Sequence, residues 1–322
     1  MIKTYLFTKK DLKEDISIDH WRSVVAADCA LLWVDVREAG REELERLASL
    51  FGLHAVAIES CLDPFRRPHL YEFADHFYTN LTTVRATRGD HGFKPSELHL
   101  FVGEKFIITI SREKKAEAVD KAIEEYKATP GMCARGSVHA VYLLAEDLTE
   151  TYFPLVEKLD EDADKIETTM LDKADRSSVQ ELFGLKRKVF ALRKLLGPQR
   201  DIFSELARRE FPFLTGENQV YFQDVYGRMV RIFDMLDTVR EILSGGLDIY
   251  LSTVSNRLNE VMKVLTVASI ILMTLSFITG FYGMNFVHLP WLKSPNAFRN
   301  ICISMVALTG GMFWWFRRKK WL

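Results

Sequence analysis

A run of twenty residues without a charge, from Val264 to Gly283, constrains this 322-residue chain more than any other feature. It reads VLTVASIILMTLSFITGFYG. As an α-helix it is about 30 Å long, which matches the hydrocarbon core of a bilayer. Met284, Asn285 and Phe286 follow directly. We therefore predict a membrane-spanning helix that ends with a glycine and a bare amide side chain.

A second span is predicted near the C-terminus. Residues 301–316 read ICISMVALTGGMFWWF. As a helix these sixteen residues are only about 24 Å long, so a crossing also needs Phe298 and a snorkelling Arg299. Four cations follow the span, whereas the loop 284–297 holds one, Lys293. The positive-inside rule places the basic tail, and with two spans also the N-terminal part, in the cytoplasm. The chain is thus expected to be a multi-pass protein of the plasma (inner) membrane.

Charge and motifs exclude several other functions. The chain has 43 basic and 44 acidic residues and a formal net charge of -1, so no nucleic-acid partner is expected. The sequence contains no P-loop, no glycine-rich dinucleotide motif and no GxSxG. We therefore expect neither an enzyme nor a bound cofactor.

The rest of the chain predicts a mixed α/β part followed by long helices. Strands are predicted at 30–36, at 76–84 and as a pair within 97–110, with helices at 41–53 and 113–131. The helix predicted at 137–172 is acidic, and the one at 178–208 is basic. One interpretation is an antiparallel pair of helices with opposite charge. The other is that the acidic helix concentrates cations near a channel mouth. From about residue 220 no proline occurs before Pro290, so one helix can run to about 280.

One face of the first span is narrow, small and mildly polar. Steps of three and four residues place these side chains on it: Asn259, Met262, Thr266, Ser269, Met273, Ser276, Gly280 and Gly283. Small and hydroxyl-bearing residues permit tight helix–helix packing in a membrane. Polar groups at that depth also face water-filled cavities. The pattern leaves both interpretations open, and they are compatible.

The Gly283-Met284-Asn285 tripeptide at the end of the penultimate span resembles the hallmark of the CorA family of divalent-cation channels and transporters. The basic tail RRKKWL and the segments 51–70 and 222–228 are also similar to that family. The resemblance implies an α+β membrane protein with a cytoplasmic N-terminal α/β/α funnel domain. A very long stalk and pore helix, two C-terminal transmembrane helices and assembly into a homopentamer complete the implied architecture.

The resemblance also implies roles for individual residues. Gly283, Met284 and Asn285 would form the selectivity filter, where a ring of neutral amide oxygens suits a hydrated divalent cation. The resemblance adds Asp248 and Leu265 to the small polar face. The expected pore-lining set is Asp248, Asn259, Met262, Leu265, Thr266, Ser269, Met273, Ser276 and Gly280.

The sequence does not single out one transported ion or one mode of regulation. The outer segment FVHLPWLKSPNAF has no acidic residue, and the pore face offers no histidine or cysteine, so either Mg²⁺ or Zn²⁺ would pass largely hydrated. Co²⁺ and Ni²⁺ are further candidates. In the family's regulatory metal site one aspartate matches Asp224, and its partner aligns with Ser60, beside Glu59. A non-conducting divalent-ion sensor or membrane scaffold of the same fold is the alternative function.

Seven segments summarise these predictions. They are an α/β domain (1–136), long antiparallel helices (137–219), a stalk helix (220–263), the pore-lining span (264–283), the outer loop (284–297), the second span (298–316) and the basic tail (317–322).

Overall fold

The computed structural model describes residues 1–9, 11–26, 30–64, 66–87, 92–129, 131–172, 175–209, 214, 216–284 and 295–321. The chain divides into two compact units. The first comprises Met1–Thr168 and Gln180–Ser244, and the second comprises Thr169–Val179 and Gly245–Leu322. Asn285 and Lys293, on which parts of the sequence prediction depend, lie outside the described residues.

The first unit is built on a seven-stranded sheet. Its strands are β1 (Ile2–Phe7), β2 (Leu12–Glu14), β3 (Leu31–Arg37), β4 (Leu70–Glu72), β5 (His76–Ala86), β6 (Phe93–Gly103) and β7 (Phe106–Ser111). The strand order is β2-β1-β3-β7-β6-β5-β4. β3 and β7 pair in parallel, and the other neighbouring strands pair antiparallel.

The helices are short in the first part of the chain and long after it. They are α1 (Trp21–Val24), α2 (Arg41–Phe51), α3 (Ala55–Leu62), α4 (Glu117–Ala128), α5 (Gly136–Asp172), α6 (Arg176–Leu206), α7 (Gly216–Tyr282) and α8 (Ala297–Arg318), with a 3₁₀ turn at Met132–Arg135.

Helices cover both faces of the sheet, which explains the nearly continuous apolar sequence of β3. Val34 belongs to the buried core that also contains Leu47 and Phe51 of α2. The side chain just before it, Trp33, points to the opposite face of the sheet. There its ring centroid lies 5.8 Å from that of Tyr126 on α4. The first unit is therefore an α/β/α arrangement, as the family resemblance implied.

The strands predicted at 30–36, 76–84 and within 97–110 are confirmed as β3, β5 and the β6–β7 pair. Strand β1 was not predicted. The long helices contain Pro154 and Pro198 in their interiors, where proline usually ends a helix. The final long helix begins at Gly216 rather than near residue 220, and it continues unbroken for 67 residues, about 100 Å.

In the described part of the chain, the opposite charges of α5 and α6 do not pair with each other directly. Among the described residues, no ion pair joins α5 to α6. Arg193 of α6 pairs with Asp237 of α7. Arg228 of α7 pairs with Glu146 at 2.7 Å and Glu150 at 2.9 Å on α5. Ion pairs therefore join each of the two helices to α7 through these residues.

In the first unit α7 buries a regular apolar stripe. Phe222, Val225 and Met229 are fully buried, and the spacing of three and four residues continues with Ile232, Leu236 and Val239. This spacing places one helix face against the unit and leaves the opposite face polar.

Candidate ion pathway

The described residues contain one helix long and apolar enough to cross a membrane, and it is α7, over Asn218–Tyr282. Only 6% of its most apolar stretch is buried. An apolar helix surface of this size needs lipid or protein to cover it. The second predicted span falls on α8, which has 22 residues, and it remains a prediction.

In the second unit, α7 and α8 each carry one covered face. On α7, Val267 is only 3% exposed, and the half-buried Ile271, Leu275 and Ile278 follow it along the same face. On α8, Phe316 is 3% exposed, and the half-buried residues preceding it recur every three or four positions: Ile301, Met305, Thr309 and Met312. A cavity of about 520 Å³ is lined by Ile270 together with residues of α8. The shared cavity shows that α7 and α8 are neighbours, and we infer that these stripes face each other.

The predicted pore face lies on the opposite side of α7. Ser276 follows Val267 by nine residues, and Ile278 follows Ser269 by nine. Nine residues turn an α-helix by about two and a half turns, so each serine points away from the covered face. Met273 is 72% exposed, and Ser276 and Gly280 are also exposed. α8 therefore leaves this face open.

Three predicted pore residues come together at the other end of the apolar stretch. Asn259, Met262 and Thr266 line one cavity of about 510 Å³, with Glu260, Lys263 and Trp321 among its other walls. The Thr266 hydroxyl donates to the Met262 carbonyl at 2.7 Å, which satisfies the hydroxyl proton within the helix. Leu265 is 58% exposed. Asp248 is also exposed, about 16 Å along the helix from Asn259.

The glycine that ends the span has a steric role. α7 ends at Tyr282, and the Gly283 N–H donates to the Thr279 carbonyl oxygen at 2.9 Å. A Cβ atom at Gly283 would lie 3.0 Å from the same oxygen, which is tighter than nine in ten Cβ contacts and would require a shift of a few tenths of an ångström. Met284 follows at 46% exposure. The helix end therefore favours glycine, whereas the amide of Asn285 is not among the described residues.

The candidate regulatory residues lie on α3 and α7. Ser60 is fully buried, and its hydroxyl donates to the Val56 carbonyl at 3.0 Å. Glu59 is exposed beside it. Asp224 accepts a hydrogen bond from Arg228 at 3.0 Å. Within the described part of the chain, no group of three or more histidine, cysteine or acidic residues could hold a metal ion.

Two arginines near these residues were missed by the sequence analysis. Arg66 donates to the Ser60 hydroxyl at 3.0 Å, and Arg228 binds Asp224 from one turn away. The spacing of Asp224 and Arg228 by four residues was a readable signal for the second contact. The first depends on the loop after α3, and nothing in the sequence indicated it.

These features define a class of protein: an α/β/α unit joined by one continuous helix to a segment suited to a bilayer, with a small polar face left open. The chain belongs to the family described as CorA-like Mg²⁺ transporter protein, which matches residues 28–318. The cobalt/magnesium transport protein CorA of Thermotoga maritima is 32% identical over 292 residues, which cover 90% of this chain and 83% of that protein.

A solved structure and a second relative extend this comparison. The complete structure of the CorA magnesium transporter from Methanocaldococcus jannaschii has a TM-score of 0.80 and 25% identity, and the match covers 100% of this chain and 99% of that one. The zinc transport protein ZntB of Pectobacterium carotovorum is 26% identical over 262 residues, covering 80% of this chain and 77% of that protein. Relatives named for magnesium, cobalt and zinc thus share this sequence pattern.

Proposed function

We propose that this chain transports divalent metal cations across the plasma (inner) membrane through a homopentameric pore lined by α7. The observation that carries the proposal is the placement of the two faces of α7. The face with Ser269, Met273 and Ser276 is open, whereas the face with Val267 is covered. Other copies of the chain, arranged around an axis, would enclose the open face and leave the bulky remainder to lipid.

The proposed pathway is lined by neutral oxygen and sulfur atoms. Hydroxyls, amides and thioethers replace an ion's inner water shell poorly, and Mg²⁺ gives up its water reluctantly. Mg²⁺ or Zn²⁺ would therefore cross largely hydrated, with Asn285 contacting the water shell at the entrance. The basic tail that includes Arg317 and Lys320 would lie in the cytoplasm together with the N-terminal domain.

Replacement of the filter amide tests the proposal. We expect Asn285→Ala to abolish uptake of Mg²⁺ and Zn²⁺ by liposomes that contain the full-length protein, while the oligomer stays intact in native mass spectrometry. Asn300→Ala is the matched control, because Asn300 is an exposed amide on α8, outside the proposed pore. Uptake by Asn285→Ala equal to that of the unaltered protein would contradict the filter role.

The acid-free outer segment favours one alternative, a non-conducting sensor or membrane scaffold. The residues after Asn285 include Lys293 and no carboxylate before Arg299, so the outer segment has no negative charge to concentrate cations. A sensor would bind divalent ions without moving them. Binding without ion uptake by liposomes of the unaltered protein would support this alternative.

A further inference from the structure

The first unit contains a cavity of about 590 Å³ that the proposed transport pathway does not use. Its walls come from the loop after α3, from β5 and β6, and from α6. Cavities of roughly 300–1,000 Å³ are typical of small-molecule sites. We call it the cationic pocket, because Arg66, Arg67, Arg193 and Lys194 all line it.

Only some of the positive side chains around the cationic pocket have a carboxylate partner. Arg66 pairs with Asp63 at 3.0 Å, and Arg193 pairs with Asp237. Arg67 and Lys194 are exposed, and in the described part of the chain no carboxylate lies within 4.0 Å of either side-chain charge. The buried carboxylate of the lining, Glu97, lies 3.6 Å from Arg112. Two positive charges of the lining are therefore left for an anionic ligand.

The remaining walls are flat and apolar. Phe93 and Pro95 of β6 and Pro68 of the loop after α3 line one side, and Leu195 and Pro198 line the helix side. Pro198 lies inside α6 and has no N–H, so the carbonyl of Lys194 loses its usual helical partner. Surfaces of this kind accept the face of an aromatic ring.

Buried hydrogen bonds hold the α6 wall of the cationic pocket in place. A Cβ atom at Gly197 would meet nothing within 4 Å, so the absence of a side chain there keeps space open. Directly behind it, Gln199 is fully buried and accepts a hydrogen bond from the Thr82 N–H at 2.8 Å. Its amide donates to the Tyr152 hydroxyl at 3.0 Å. These bonds hold the α6 wall of the cavity against its β5 wall.

We propose that the cationic pocket binds a nucleoside polyphosphate, with its phosphates on Arg67 and Lys194 and its base against Phe93 and the neighbouring prolines. Guanidinium and ammonium groups are the side chains that bind phosphate most strongly. Inorganic phosphate alone would leave the apolar walls and most of the volume unfilled. The site is formed by residues of the first unit, and its binding of ligand does not depend on conduction.

Calorimetric titration of the full-length protein in detergent tests the site, with ATP as the probe and a chelator present so that divalent ions do not contribute. We expect saturable binding of ATP that weakens with added salt, because the contacts are partly electrostatic. Adenosine and inorganic tripolyphosphate should each bind at least about tenfold more weakly, equivalent to about 1.4 kcal/mol. The absence of saturable ATP binding, or adenosine or tripolyphosphate binding as tightly as ATP, would overturn the proposal.

Two variants with matched controls locate the binding. Gly197→Leu should fill the pocket and weaken ATP binding by at least about tenfold. Gly184→Leu is its control, since Gly184 lies on the same helix with equally open space. Lys194→Gln should weaken binding, whereas Lys186→Gln, an exposed position earlier on α6, should not. ATP binding unchanged in both pocket variants, with the chains folded by circular dichroism, would place the ligand elsewhere and refute the assignment.

Discussion

The guanidinium of Arg66 donates a hydrogen bond to the buried hydroxyl of Ser60 at 3.0 Å. On α7, Arg228 similarly holds Asp224 at 3.0 Å. These are the two positions that the family resemblance marks for a regulatory metal. Each of these two side chains therefore already accepts a hydrogen bond from an arginine of the same chain. We propose that divalent metal binds only weakly at Ser60, Glu59 and Asp224.

Ion uptake should accordingly be insensitive to metal on the cytoplasmic side. We expect millimolar internal Mg²⁺ to leave the rate of uptake by liposomes nearly unchanged, because Ser60 offers no carboxylate and Asp224 is already paired. Asp224→Asn should respond in the same way. Steep closure of the unaltered protein by internal Mg²⁺, removed by Asp224→Asn, would show that the regulatory site is functional.

Gly283→Ala should impair transport through a steric effect at the end of the span. The added methyl group would meet the Thr279 carbonyl oxygen at 3.0 Å and displace the turn that leads to Asn285. Initial rates of Mg²⁺ uptake measure this effect. Gly310→Ala on α8 is the control, because a Cβ atom there meets nothing within 4 Å. Equal rates in the two variants would exclude a steric requirement at Gly283.

Tyr152→Phe should destabilise the first unit. The Tyr152 hydroxyl donates to the Thr82 carbonyl and accepts from Gln199, and all three residues are buried. Removing it leaves buried polar groups unsatisfied, which costs about 1–3 kcal/mol. Urea unfolding followed by tryptophan fluorescence measures the free energy of unfolding. Tyr250→Phe in the second unit should have little effect, and an equal loss in both variants would argue against the buried network.

Acid should destabilise the first unit through two buried histidines. Burial lowers the pKa of His99 to about 3 and that of His139 to about 4, assisted by the positive charges of Arg112 and Arg135. Unfolded histidine has a pKa of about 6.5, so between about pH 6.5 and 4 the unfolded chain binds more protons. The free energy of unfolding should therefore fall as the pH falls, by at most about 1.4 kcal/mol per unit for each histidine.

Urea unfolding over this pH range tests the prediction. His139→Gln should reduce the dependence on pH, because one neutral buried imidazole is removed. The exposed His20→Gln should preserve it. If His139→Gln keeps the full slope, the acid sensitivity has another origin.

The sequence predicted the elements whose signals are local. The apolar residues of β3 and the absence of proline before Pro290 identified a core strand and the long helix. Strand β1 was missed, since its six residues, IKTYLF, mix charge and apolar groups in a short segment. The parallel pairing of Leu32 with Phe106 joins positions far apart in the chain, and no local pattern specifies it.

The charged helices show a second limit of sequence reasoning. Runs of opposite charge predicted that α5 and α6 form an antiparallel pair, and that pattern gave no indication that Arg193 and Glu146 pair with residues of α7. Which helix faces which depends on tertiary packing. For the pore face the sequence was more informative, because helical periodicity alone separates Ser276 from Val267. The filter residue Asn285 lies outside the described residues, so its role remains a prediction.

The most direct test of the proposed pore compares two residues of α7 that are both exposed, Ser276 and Phe281. They point about 140° apart on the helix, one toward the proposed axis and the other toward lipid. In a chain without its native cysteines, Ser276→Cys and Phe281→Cys are treated with a membrane-impermeant cationic thiol reagent, which reacts with thiolate in water. We predict modification of Ser276→Cys, slowed by Mg²⁺ and accompanied by loss of ion uptake, and none of Phe281→Cys. Modification of Phe281→Cys alone, or of both at equal rates, would contradict a water-filled pathway along this face.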